Sequence, residues 1–190
     1  MAPKFKRPGL LLHPSIPLGL GGVNPRTIEG KEWWDKKRRE VYAANNHSCW
    51  ACNTYQLDAK YHQWLEAHEC YEYDYDKHVA RYTETVGLCH SCHQFIHWRR
   101  LYQQSLFIRQ PKKLMDILKH GLTILHTAGL DLPIAQRQAA RRYHLHKELE
   151  WLAPPWTGVT SAYIAAYLSS NWVLLYKGKE YKQDGIKPHK

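Results

Sequence analysis

The chain has 190 residues, enough for one domain with a real core or for a small domain with extensions. Lysine and arginine number 27 against 17 aspartates and glutamates, and the resulting charge of +10 favours a polyanionic partner, nucleic acid before an anionic membrane surface. Five cysteines without a segment that reads as a secretory signal argue against a disulfide framework and for metal binding in a reducing compartment, the cytoplasm.

Residues 1–26 hold five prolines and four glycines, which exclude a long helix or a central strand and leave an extended arm, lying across the domain or mobile. KEWWDKKRREVYAAN (31–45) follows with helical spacing. Trp34 and Val41 share one face, and Lys36, Lys37, Arg38 and Arg39 lie mostly around the other. QWLEAHEC (63–70) suits a strand, YEYDYDKH (71–78) a turn and VARYTETVGL (79–88) a second strand. LCHSCHQFIHWRRLY then returns to helical spacing. Leu114, Ile117, Leu118, Leu122 and Leu125 mark an amphipathic helix that Gly129 stops. A further helix runs from Pro133 to about Trp151, where APP ends it. A short helix near SAYIAAYL precedes NWVLLYKGKEYK, which reads as a hairpin turning at Lys177-Gly178. The longest apolar tract, VTSAYIAAYLSSNWVLLY, is too polar and short to span a bilayer comfortably. Eight tryptophans and thirteen tyrosines could stack on bases, and would fill a core equally well. The expected organisation is an arm (1–26), a metal domain with a leading basic helix (27–104) and a helical extension ending in a hairpin (105–190).

The chemistry concentrates in two C-x2-C turns, Cys49/Cys52 in CWAC and Cys89/Cys92 in CHSC. Each turn points two thiolates at one spot, and two turns complete a tetrahedral zinc site. The 36 residues between the pairs exceed the usual ribbon spacing of about 15–20, so a folded unit, the two strands, must fill the gap. Cys70 is left over as a small buried thiol. His93 and His97 are four apart on the helix after the second pair, hence on one face. Their spacing suits a second metal, and a third ligand must come from elsewhere. His90, inside the second turn, belongs to neither site. Glu66, two residues before His68, shares its strand face as a supporting partner or as an ordinary surface charge.

The pattern C-x2-C, LEAHE, LCHSCHQFIH over residues 46–102 resembles the HNH endonucleases, the ββα-metal fold, in their form stapled by four cysteines. The wider arrangement is similar to that of bacterial and phage proteins with an HNH-type core. The resemblance implies an α+β chain whose zinc-stapled hairpin and helix grip one divalent ion, such as Mg²⁺, Mn²⁺ or Ni²⁺, beside a DNA backbone. Carried over residue by residue, His68, His93 and His97 are the ion's ligands. Glu69 stands where the family has its general-base histidine, and Glu84 where it has its middle asparagine. A carboxylate with an ordinary pKa near 4.3 is a weaker base at pH 7 than an imidazole. Glu69 therefore reads as a base of reduced strength, an extra ligand, or the mark of a dead site. Arg99, Arg100 and the Lys36–Arg39 helix would meet neighbouring phosphates. The alternatives are an inactive HNH-fold protein that binds nucleic acid, DNA or RNA, and a zinc-stabilised module that binds a host protein.

Overall fold

The computed structural model describes residues 2–14, 16–97, 111–130 and 168–185. Its centre is a long antiparallel hairpin, β1 (Leu65–Asp74) and β2 (Val79–Cys89), followed directly by a short helix, here α2 (His90–Ile96). The helix α1 (Pro25–Ala44) precedes the hairpin, and α3 (Pro111–Thr127) comes after it. The expectation of α+β architecture holds. No helix among the described residues is long and apolar enough to cross a membrane.

The sheet has four strands in the order β1-β2-β3-β4. The C-terminal hairpin, β3 (Val173–Tyr176) and β4 (Lys179–Tyr181), turns at Lys177 and Gly178, both at positive φ (+49° and +73°), as a tight two-residue hairpin requires. It is not an appendage. β3 pairs in parallel with the start of β2, Val79 opposite Val173, and Trp172 is 1% exposed beneath it. The division at residue 104 therefore separates strands that share one sheet. YEYD, expected in a turn, extends β1 instead, and only residues 75–78 turn. The helices expected at 133–151 and near SAYIAAYL lie outside the described residues, apart from the final leucine, Leu168.

α1 begins earlier than its periodicity suggests. Asn24 caps it, its side chain accepting from the Thr27 N–H at 2.8 Å, and Pro25 fits the first turn. Gly30, at φ +85°, breaks the helix just before the segment that the sequence marks. The arm lies across the domain. The buried Asn45 side chain, past the end of α1, accepts from the Lys4 and Phe5 N–H groups at 2.7 and 3.0 Å and donates to the Phe5 carbonyl at 3.1 Å. Arg7 N–H donates to the Trp50 carbonyl at 2.7 Å, and the 3-10 turn Pro8–Leu12 buries Leu11 completely.

α3 buries Leu114, Ile117, Leu118, Leu122 and Leu125, the stripe expected of it, against α2 and the arm. It ends as Gly129 predicts. With φ +66° there, Leu130 N–H reaches the Leu125 carbonyl at 2.9 Å and Gly129 N–H reaches His126 at 3.0 Å, which satisfies the last turn's carbonyls.

Candidate metal centres

The four-cysteine cluster forms where the two ends of the hairpin meet a knuckle. Cys49 accepts the Asn53 N–H on its carbonyl at 2.9 Å and gives its own N–H to Thr54 at 2.9 Å. The left-handed backbone at Asn53 (φ +67°) closes this turn, and Trp50 N–H fixes it to the Gly87 carbonyl of β2 at 2.9 Å. Cys49, Cys52, Cys89 and Cys92 then place their sulfurs within 4.8 Å of one another, all as free thiols. The Cys52 and Cys89 sulfurs are 3.8 Å apart. A tetrahedron with metal–sulfur bonds of about 2.3 Å has edges of about 3.8 Å, so the cluster has the dimensions of a zinc site. Side chains around it are suited to thiolates. Thr54 Oγ1 lies 3.1 Å from Cys52 Sγ, and His120 Nε2 of α3 lies 3.4 Å from Cys92 Sγ. The electrostatics favour a cation there. Hydrogen bonds from its neighbours hold the Cys52 thiolate well below the ordinary thiol range, while those bonds push Cys89 and Cys92 far above it. The group cannot ionise together without a positive charge in its middle.

The histidines assemble on one face of the hairpin. Side chains alternate along β1, so Glu66, His68 and Cys70 point to the face that α2 and the arm cover. His68 of β1, His93 of α2 and His97 at the C-cap of α2 each bring one ring nitrogen within 4.8 Å of the others, with ring centroids 4.7–5.5 Å apart. His68 is 4% exposed, and burial, with three neighbouring imidazoles, holds its pKa well below the ordinary histidine value. Burial thus keeps its ring neutral. Glu66 sits behind the cluster, one oxygen 2.6 Å from His90 Nδ1 and the other against His93 Nδ1. Burial pushes this carboxyl up, but the two imidazole hydrogen bonds outweigh it and keep it ionised well below the usual range. Nδ1–H of His93 therefore belongs to Glu66, leaving Nε2 as the nitrogen with a free lone pair, the arrangement typical of metal-binding histidines. The donor set fits a divalent transition ion: three imidazoles, one of them oriented by a carboxylate.

Glu69 does not join them. It faces the other side of β1, where its carboxylate accepts from the Arg26 N–H of α1 at 3.0 Å and from the Tyr71 hydroxyl at 3.3 Å. Burial raises its pKa despite those bonds. Glu84 is held in a two-pronged ion pair by Arg7, with Nη1–Oε2 at 2.9 Å. α1 packs on the Glu69 side too, as the Tyr42 ring against Gly87 of β2 shows. Lys36, Lys37, Arg38 and Arg39 thus sit across the sheet from the histidines. Lys37 pairs with Glu40 at 3.4 Å and Arg38 with Asp35 at 2.9 Å, while Lys36 and Arg39 are exposed. Arg99 and Arg100 lie outside the described residues. Cys70 is buried, its thiol pushed up to about 12 by burial.

Sequence reasoning missed two neighbours. His13 of the arm takes the Tyr71 N–H on its Nε2 at 2.8 Å, at the free edge of β1, and sets Nδ1 3.3 Å from His68 Nε2. Burial lowers its pKa to about 4. It has no motif around it that could have marked it. His120 sits on the α3 turn that faces the cysteines, and only the amphipathic phase of α3 hinted at that.

No family model matches the chain, and neither does any curated protein or solved structure.

Proposed function

We propose that the chain is a divalent-ion-dependent nuclease of the HNH kind that hydrolyses phosphodiester bonds in DNA. The observation that carries this reading is the convergence of His68, His93 and His97, from one strand and the helix that follows it, beside a four-cysteine cluster on the same hairpin. A zinc in the cysteine cluster would be structural, fastening the hairpin ends to the CWAC knuckle and α2. Four thiolates would fill a zinc's coordination, whereas three histidine donors would leave an ion with a position for a phosphate oxygen. An ion bound by the histidines would supply Lewis acidity toward the phosphate oxygens and the departing 3′ oxygen. Glu66 holds the His93 ring in place, and burial keeps the His68 ring neutral. Arg99 and Arg100, two and three residues after His97 in sequence, would be the cations that meet the flanking phosphates. The Lys36–Arg39 helix would serve a strand passing the other face of the sheet. A plasmid-nicking assay with Mg²⁺, Mn²⁺ and Ni²⁺ tests the proposal. Nicking that His97→Ala abolishes supports it, and no nicking by the metal-replete protein with any of the three ions removes it.

Glu69 favours a second reading, in which the fold binds nucleic acid without cutting it. The position that would supply a general base carries a carboxylate already committed to Arg26 and Tyr71. In that case binding persists, its logarithm falls linearly with log salt, and no metal yields product.

A further inference from the structure

We propose that His62, Glu66 and His90 form an additional site for a zinc-class divalent ion, independent of any nuclease activity. The three residues arrive from separate elements: the loop before β1, β1 itself and the first residue of α2. Each presents one ligand atom within 4.8 Å of the other two. Two imidazole nitrogens and a carboxylate oxygen are a common donor set for zinc and its neighbours, with an exchangeable position left open.

His90 is 5% exposed and meets Glu66 through Nδ1 at 2.6 Å, and an ion bound between them would replace the proton that the two now share, with His62 as the third donor. The rings of His62 and His90 meet edge to face with centroids 4.2 Å apart. His62 is held there by stacking on Trp64, centroids 4.4 Å apart and 17° from parallel. The loop behind it is tied to α3, since Lys60 Nζ and the Tyr61 hydroxyl both reach Asp116, at 2.7 and 3.1 Å. His62 is only partly buried, so an ion has a route in from solvent.

Glu66 links this site to the histidine cluster. One of its oxygens faces His90 and the other holds His93, so a single carboxylate can serve as ligand on one side and as orienting partner on the other.

The test is calorimetric titration of the full chain, its cysteine site already filled, with Zn²⁺ as the only probe. Wild type takes up two further ions. His62→Ala, at a partly exposed position, loses one of them or binds it at least tenfold more weakly and keeps the other. His97→Ala does the reverse, losing the ion of the His68 cluster while retaining the one that depends on His62. Circular dichroism shows whether His62→Ala keeps its fold, and His62→Gln provides the same readout if it does not. Equal stoichiometry and affinity for wild type and both His62 variants overturn the proposal whatever His97→Ala does, so the two sites fail separately.

Discussion

Glu66 and Glu69 are three residues apart on one strand, and their environments set opposite fates for their charges. Glu66 lies between two imidazoles and stays ionised, while Glu69 is raised by burial against the start of α1. Removing Glu66 with Glu66→Ala unhooks His93, and the loss of a carboxylate that orients a ligating histidine weakens ion binding by about 10–100-fold. Calorimetry should show that loss at the histidine cluster with the cysteine-held ion unchanged. For Glu69 the sign follows from its raised pKa. Folding favours the protonated form, so the ionised carboxylate subtracts stability as pH rises from the ordinary glutamate value through the raised one. Relative to wild type, Glu69→Gln should therefore gain stability between pH 4 and pH 7, read as a difference in melting temperature at the two pH values. The placement of Glu69 was available from alternation alone, because neighbouring residues on a regular strand point to opposite faces. The resemblance set that rule aside by giving both His68 and Glu69 to one site.

At the scale of elements, α3 and the arm are what close the histidine face. α3 approaches α2 through Gly121, where an added Cβ would lie 2.2 Å from the Phe95 ring, and Phe95 is fully buried. Gly121→Ala should cost about 1–3 kcal/mol by overpacking. Gly129→Ala meets open space but holds φ +66°, and should cost about 1–2 kcal/mol from backbone strain alone. Denaturant midpoints of the two variants measure both costs. The helix stripe, its glycine stop and the C-terminal turn were legible because each is a local pattern. The parallel pairing of β3 with β2 was not, since a four-residue strand meets a partner more than ninety positions away and no spacing records it. His13 and His62 escaped for the same reason. Each becomes a neighbour of the metal-ligating groups only when the arm or a loop folds back onto β1.

For the whole molecule, the sulfur cluster and the imidazole cluster share the hairpin and α2, and the proposed function gives them separate tasks. The cysteines join three segments: the CWAC knuckle, the end of β2 and α2, with α3 leaning on Cys92 through His120. Structural zinc contributes folding energy outright, so Cys49→Ser, or prolonged chelation, should unfold the core, visible as loss of near-ultraviolet dichroism from the buried tryptophans. The histidine site should empty without that consequence, because its three rings hang on elements that the sulfurs already fasten. The most direct measurement is the metal content of the triple variant His68→Ala, His93→Ala, His97→Ala set against wild type, both purified without chelator. The account predicts a folded protein that has lost one exchangeable ion per chain and kept its tightly held zinc. An unchanged ion count, or loss of the zinc together with the fold, would contradict it.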